Sequence, residues 1–154
     1  MLTMKAKYAL MALGHLAAAP RDEPVLISEI AEKEGIPRKF LELILRELKQ
    51  HGILDSRKGR GGGYLLRQEP ETVTLAQVIR IVDGPIAPVP CLSQTAYRRC
   101  KECKDETTCS VRLVLRDLHL ASLRVLEGTT LASLAAQARG ADGVKSLDVM
   151  RFSI

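Results

Sequence analysis

Four cysteines stand within nineteen residues, spaced Cys91-x8-Cys100-x2-Cys103-x5-Cys109, and the 154-residue chain has none elsewhere. Thiolates are the usual ligands of iron–sulfur clusters and common ligands of zinc, and four in one short loop supply a complete set for either. A disulfide framework would instead spread its links across the fold. The spacing therefore points to a local metal or redox centre made of Cys91, Cys100, Cys103 and Cys109. Spacing alone leaves the metal open: an iron–sulfur cluster, zinc, or none. Arg98, Arg99, Lys101 and Lys104 lie among the cysteines and are expected to favour the ionised thiols, which serves ligation and thiol oxidation alike. A switch based on Cys100 and Cys103 as a thiol pair is the second reading. A thiol–disulfide oxidoreductase using the same pair comes third, because the βαβ pattern of a thioredoxin-like enzyme is missing. His15 and His119 fall in helical patterns and are read as packing or surface residues rather than ligands.

A second chemistry is carried by charge. Residues 38–67 hold eight basic side chains (Arg38, Lys39, Arg46, Lys49, Arg57, Lys58, Arg60, Arg67) against Glu42, Glu47 and Asp55, a local surplus equal to the +5 of the whole chain. A neutral body with one basic segment has the footprint of a protein that sits on a phosphate backbone. Aromatic residues are only 3% of the chain and Trp is absent, which argues against a stacking platform for single strands or RNA. Double-stranded DNA is the expected partner. No segment reaches the roughly 18 unbroken apolar residues of a membrane-spanning helix, and no membrane partner is expected. Lys5, Lys7 and the run Tyr8–Leu13 imitate a short signal peptide, but His15 interrupts the apolar region, and residues 3–19 are read as a buried first helix stopped by Pro20.

The elements that must position these residues follow from spacing. Ser28 is placed to cap a short helix with Glu29 in its first turn, and Gly35 ends it. Pro37 suits the first turn of the next helix, over 37–50, where Leu41, Ile44, Leu45 and Leu48 make one buried stripe and Arg38, Lys39, Glu42, Arg46 and Lys49 face outward. Two helices joined through a glycine turn, the second basic near its start, have the geometry of a helix-turn-helix. His51-Gly52 closes the second helix, and residues 53–66 read as strand, glycine-rich turn and strand, a hairpin with Arg57, Lys58 and Arg60 at its tip. The glycine run lacks the Lys-Ser or Lys-Thr ending of a nucleotide-binding loop. As a wing, it lays its bases along phosphates or into a minor groove, and its glycines allow close approach to the duplex.

Thr74-x-x-Gln77 has the form of a capping box, opening a helix whose inner face carries Leu75, Val78, Ile79 and Val82 and which Gly84-Pro85 ends. Pro85, Pro88 and Pro90 make an extended lead to Cys91. From about Cys109 to Glu127 a long helix carries apolar residues on two faces, Val111, Val114, Leu115, Leu118 and Val125 on one, and Leu113, Leu120 and Leu123 toward another. One face is expected to pack on its own subunit and the other on a partner, as in a symmetric homodimer. Thr129 or Thr130 caps a further helix, Leu131–Ala138. The expected organisation is a DNA-binding unit over 1–84, a cysteine-rich metal-binding loop over 85–108, a dimerisation helix with a short following helix over 109–138, and a flexible tail over 139–154. The fold class is mainly α, a winged helix-turn-helix with a β-hairpin wing and a long C-terminal dimerisation helix.

The combination resembles the Rrf-type winged-helix repressors, a family with IscR-, NsrR- and CymR-like branches. The residues carrying the resemblance are Leu2-Thr3, Tyr8-Ala9-Leu10, Ile36-Pro37, Phe40-Leu41-Glu42, Thr130-Leu131 and above all the wing, Ser56-Arg57-Lys58-Gly59-Arg60-Gly61-Gly62-Gly63-Tyr64. The resemblance implies a major-groove reader in the helix from Pro37, a minor-groove probe in the wing, and a base-discriminating role for Glu42. It also implies cluster ligands at Cys91, Cys103 and Cys109. The chain departs from IscR-like members, which take a His three residues after the last Cys where this chain has Arg112, and from NsrR-like members, which use an acid near the first helix where it has Lys7. Cys100 is then either the replacement fourth ligand or a bystander, and [2Fe-2S] and [4Fe-4S] both stay open. The expected protein is not an enzyme. It is a homodimeric regulator of a bacterial cytoplasm that binds a palindromic operator and senses redox, nitric oxide or iron status through its cluster. The alternative is a cluster-free winged-helix regulator switched by thiol oxidation or a partner protein.

Overall fold

A computed structural model describes residues 2–141 of the chain. The described residues form α1 (Met4–Ala18), α2 (Ile27–Glu34), α3 (Arg38–Gln50), β1 (Leu54–Arg57), β2 (Gly63–Leu66), α4 (Leu75–Val82), α5 (Ser110–Gly128) and α6 (Leu131–Ala141), with a 3-10 turn at Pro90–Leu92. Thr3 caps α1 by accepting the Ala6 N–H at 3.1 Å. The buried side of α1 carries Ala6, Ala9, Ala12, Leu13 and Leu16, and its small residues let α3, α4 and α6 pack closely around it. The apolar run Tyr8–Leu13 is therefore core helix. None of the helices among the described residues is long and apolar enough to cross a membrane.

The helix-turn-helix differs from expectation at both N-termini. α2 starts at Ile27 with Leu26 as its cap residue and no side-chain cap hydrogen bond, so Ser28 sits inside the first turn instead of capping it. The reason is the strand-like pairing of Val25 with Tyr64, through hydrogen bonds of 2.8 and 2.9 Å, which fixes the chain in extended form up to residue 26. Pro37 lies just outside α3 as its cap residue. Gly35 ends α2 in the left-handed region, φ 64°, as the turn requires. Leu41, Ile44, Leu45 and Leu48 are each at most 1% exposed, and burial of such side chains contributes about 1.5–3 kcal/mol apiece.

β1 and β2 pair antiparallel, Leu54 opposite Leu66 and Arg57 opposite Gly63. Thr74 caps α4 by accepting the Gln77 N–H at 3.2 Å. Its start is clamped to the α5–α6 junction, where Leu75 N–H donates to the Thr129 carbonyl at 3.0 Å and Leu131 N–H to the Val73 carbonyl at 2.9 Å. α6 is capped by Thr130, which accepts the Ser133 N–H at 3.2 Å, and runs to Ala141, three residues past its expected end. The rest of the expected tail, 142–154, lies outside the described residues.

α5 is built differently. Its buried residues are His119 and Leu123, while Val111, Val114, Leu118 and Val125 are 57–72% exposed, and Leu113 and Leu120 are exposed with them. Of the second face expected from the sequence, only Leu123 reaches the core of its own chain.

Candidate functional site

The outward side of α3 is a stripe of Lys39, Leu43, Arg46 and Gln50, all exposed and spaced i, i+4, i+7, i+11 directly opposite the buried leucines. On one flank stand Arg38, Glu42 and Lys49. The Arg38 Nε donates to the Glu42 carboxylate at 3.3 Å, and the Lys49 Nζ donates to the Ser56 hydroxyl at 2.5 Å, which ties the end of α3 to the first strand of the hairpin. The other flank turns back to the body. Phe40 meets Tyr8 edge to face with ring centroids 5.8 Å apart, and Glu47 pairs with Lys5 at 2.6 Å.

The hairpin divides its three basic residues. Arg57 donates to the Asp22 carbonyl at 3.0 Å, so it braces the hairpin against the loop before α2. Lys58 and Arg60 are exposed, with no hydrogen bond or ion pair to another described residue. The glycines serve the protein's own packing as much as any close partner. A Cβ at Gly62 would overlap the Arg57 carbonyl, and one at Gly63, φ 144°, would overlap the Val25 carbonyl. Sequence reasoning had assigned that closeness to the duplex alone. It had also left out Leu43, whose signal was visible: it is the apolar residue of this helix, besides Phe40, that falls off the buried stripe.

The cysteine loop is organised by its own hydrogen bonds. Arg98 N–H donates to the Pro90 carbonyl at 3.2 Å and Cys103 N–H to the Cys100 carbonyl at 3.2 Å. The Arg99 guanidinium spans the Cys103 and Lys104 carbonyls, each at 3.1 Å. Asp105 accepts from the Thr107 N–H and hydroxyl and from the Thr108 hydroxyl, and these bonds, the Thr107 N–H first, hold its carboxyl below the usual range. Tyr97 donates to Glu106 at 2.5 Å, which pushes the phenol up from its ordinary value.

All four cysteines are free thiols, in different settings. Cys91 is buried, 7% exposed, on a 3-10 turn that packs against α5. Cys100 is exposed, and Cys103 and Cys109 are half-buried. Cys109 is the cap residue of α5, with no side-chain cap hydrogen bond. Desolvation by the surrounding loop, then the Cys91 thiol, then the Cys103 and Cys109 sulfurs push the Cys100 thiol up from its ordinary value. The expectation that the neighbouring bases dominate is thus reversed at Cys100; Arg99 is spent on backbone carbonyls. The four sulfurs are electrostatic neighbours, yet among the described residues no three donors are placed to share one ion. In type and number the donors fit a sulfur-ligated cluster; they are not drawn together around one point. Arg112, in the first turn of α5, has a buried Nε without a hydrogen-bond partner among the described residues, and both ring nitrogens of buried His119 also lack one there.

A helix-turn-helix followed by a basic two-stranded wing defines a winged-helix DNA-binding protein. The sequence profile of the Rrf2 family, described as an iron-dependent transcriptional regulator, matches residues 2–137, and the chain belongs to that family. It is 44% identical over 139 residues to an Rrf2-like HTH-type transcriptional regulator of Rhodobacter capsulatus, covering 88% of this chain and 93% of the other. It is 30% identical over 147 residues to the HTH-type transcriptional regulator IscR of Sodalis glossinidius, covering 96% and 86%. The solved structure of CymR, the global cysteine regulator of B. subtilis, superposes with a TM-score of 0.75 at 28% identity, covering 89% of this chain and 97% of that one. The protein is thus a DNA-binding transcriptional regulator, and its relatives are named as regulators and not as enzymes.

Proposed function

We propose that the protein is a homodimeric cytoplasmic regulator that reads a palindromic operator and couples its affinity to an iron–sulfur cluster held by the cysteine loop. α3 enters the major groove, with Arg38, Lys39 and Glu42 among its contacts, and the wing lays Lys58 and Arg60 on phosphates or in the minor groove while Arg57 braces it. Two copies join through the uncovered stripe Val111, Val114, Leu118 and Val125 of α5, an apolar surface that symmetric pairing buries. The observation that carries the cluster is the type and number of the donors, four free thiols in the nineteen residues that lead into that helix. Cys91, Cys103 and Cys109 would hold the cluster, and Cys100 is the fourth thiol of the same loop. Bound there, a cluster supplies one-electron redox chemistry and reactivity toward nitric oxide.

The chain's own part is transmission. Cys109 is joined directly to Ser110, the first residue of α5, and Cys91 packs on the same helix. A change in the shape of the loop therefore acts on the dimer helix and, through it, on the spacing of two recognition helices, which must match half-sites one helical turn apart. The scattered placement of the donors supports a second reading, a cluster-free regulator switched by thiol oxidation or by a partner protein. One measurement decides between them. Protein purified without oxygen should contain iron and sulfide, show charge-transfer absorption, and change its affinity for a selected duplex when the iron is removed with a chelator. Colourless protein that binds DNA and loosens or tightens on thiol oxidation would replace the first reading with the second.

A further inference from the structure

Leu43 lies at the middle of the outward stripe of α3, 59% exposed, one turn from Lys39 on one side and from Arg46 on the other. A single exposed leucine is ordinary on a protein surface. Here the setting differs, because the core stripe of the same helix is complete in Leu41, Ile44, Leu45 and Leu48, and the one other exposed apolar residue, Phe40, packs on Tyr8. Leu43 has no neighbour of its own kind on that face. The flanking Lys39 and Arg46 complement phosphates, so a helix seated by them presents Leu43 toward the floor of the major groove. The one apolar group that any base pair displays there is the 5-methyl of thymine.

Resting on the assignment of α3 as the major-groove reader, we infer that Leu43 is a specificity-determining residue that packs against a thymine methyl in each half-site. Contact with one methyl discriminates thymine from the other bases without a hydrogen bond, while Glu42 and the basic residues read polar edges and phosphates around it.

The test removes the methyl alone. Duplexes are selected from a random library with the full-chain protein, and each thymine of the selected site is then replaced in turn by deoxyuridine, which leaves every hydrogen-bonding edge intact. One thymine per half-site should show a loss of about fourfold in affinity, the worth of one buried methyl-sized group. Leu43→Ala should bind more weakly and show no uracil penalty at that position, and Leu43→Gln should select a different base there. No uracil penalty in the unmodified protein, or a penalty that persists in Leu43→Ala, overturns the inference while leaving DNA reading by α3 in place. If no sequence is selected and the helix-face variants bind as the unmodified protein does, the reading of α3 falls and this inference falls with it. Leu43 is outside the core, so the variants fold, and an unchanged circular-dichroism melt verifies that.

Discussion

α3 and α5 are both long amphipathic helices, but they spend their apolar residues in opposite ways. α3 hides four in its own core, each at most 1% exposed, and leaves a charged face with a defined geometry. α5 buries only His119 and Leu123 and leaves six large apolar side chains at the surface. The loop before α3 is a tight glycine turn; the segment before α5 is nineteen residues long from Cys91 to Cys109 and carries free thiols. A single chain contains everything α3 needs. On the proposed reading, what α5 and its loop lack, an apolar partner and a metal centre for the thiols, comes from outside the chain. That asymmetry suits the proposed sensor, in which a rigid reader is joined to a segment whose shape would depend on what it binds.

The largest expected effect breaks the loop side of this contrast. Cys91→Ser, Cys103→Ser or Cys109→Ser should each abolish the iron content and visible absorption of anaerobically prepared protein, because a serine oxygen is a poor substitute for thiolate on these irons. Cys100→Ser separates the two roles open to that residue: loss of absorption makes it the fourth ligand, and retention makes it a bystander. Three single variants that all keep full iron would remove the loop as the cluster site.

Core and stripe should respond in opposite assays. Leu45→Ala, in a site with 0% exposure, should lower the unfolding free energy in urea by about 2–5 kcal/mol. Val114, 72% exposed, should tolerate change to Ala within about 0.5 kcal/mol in the folding of one chain, while Val114→Glu together with Leu118→Glu should convert the dimer to monomer in sedimentation equilibrium. A double variant that sediments as a dimer would place the interface elsewhere. On the DNA side, Lys58→Ala with Arg60→Ala should reduce the slope of log affinity against log salt by about two units, at about 0.9 per phosphate contact. Arg57→Ala should act partly through the protein by releasing the Asp22 carbonyl, so its melting temperature should fall as well. An unchanged slope in the folded double variant would take the wing off the duplex.

How far the sequence could be read follows the same division. The buried stripe of α3, the glycine at residue 35, the Thr74 cap and the hairpin were legible because each depends on neighbours within a turn or two. The start of α2 was not, because the pairing of Val25 with Tyr64 joins residues nearly forty positions apart and overrides the local preference for a Ser28 cap. The same long-range contact explains Gly63, whose missing Cβ makes room for the Val25 carbonyl. In the candidate site the four cysteines were legible as a group from spacing alone. Their settings were not: Cys91 became a buried residue because the 3-10 turn that carries it packs on α5, a contact no local pattern announces. Arg99 turned from a charge beside thiols into a brace for the Cys103 and Lys104 carbonyls, because the loop is irregular and has no periodic pattern to place its side chains.

The smallest effect compares the two caps. Thr74 accepts the Gln77 N–H and closes the start of α4, whereas Cys109 occupies the same position on α5 and makes no cap hydrogen bond, with no acid in the first turn to compensate. A residue chosen for helix stability at such a position would be Ser, Thr, Asp or Asn, so Cys109 is a weak cap, which the proposed ligand role of its sulfur would account for. Thr74→Ala should therefore lower stability by about 1 kcal/mol. Cys109→Asp should do the reverse, raising the stability of the metal-free protein by about 0.5–1 kcal/mol through the cap and the helix dipole, while preventing iron uptake. Urea unfolding of both variants without metal measures the two signs. If Cys109→Asp destabilises the metal-free protein, the cysteine is there for packing, and the contrast between a self-sufficient reader and a ligand-dependent arm loses its clearest local example.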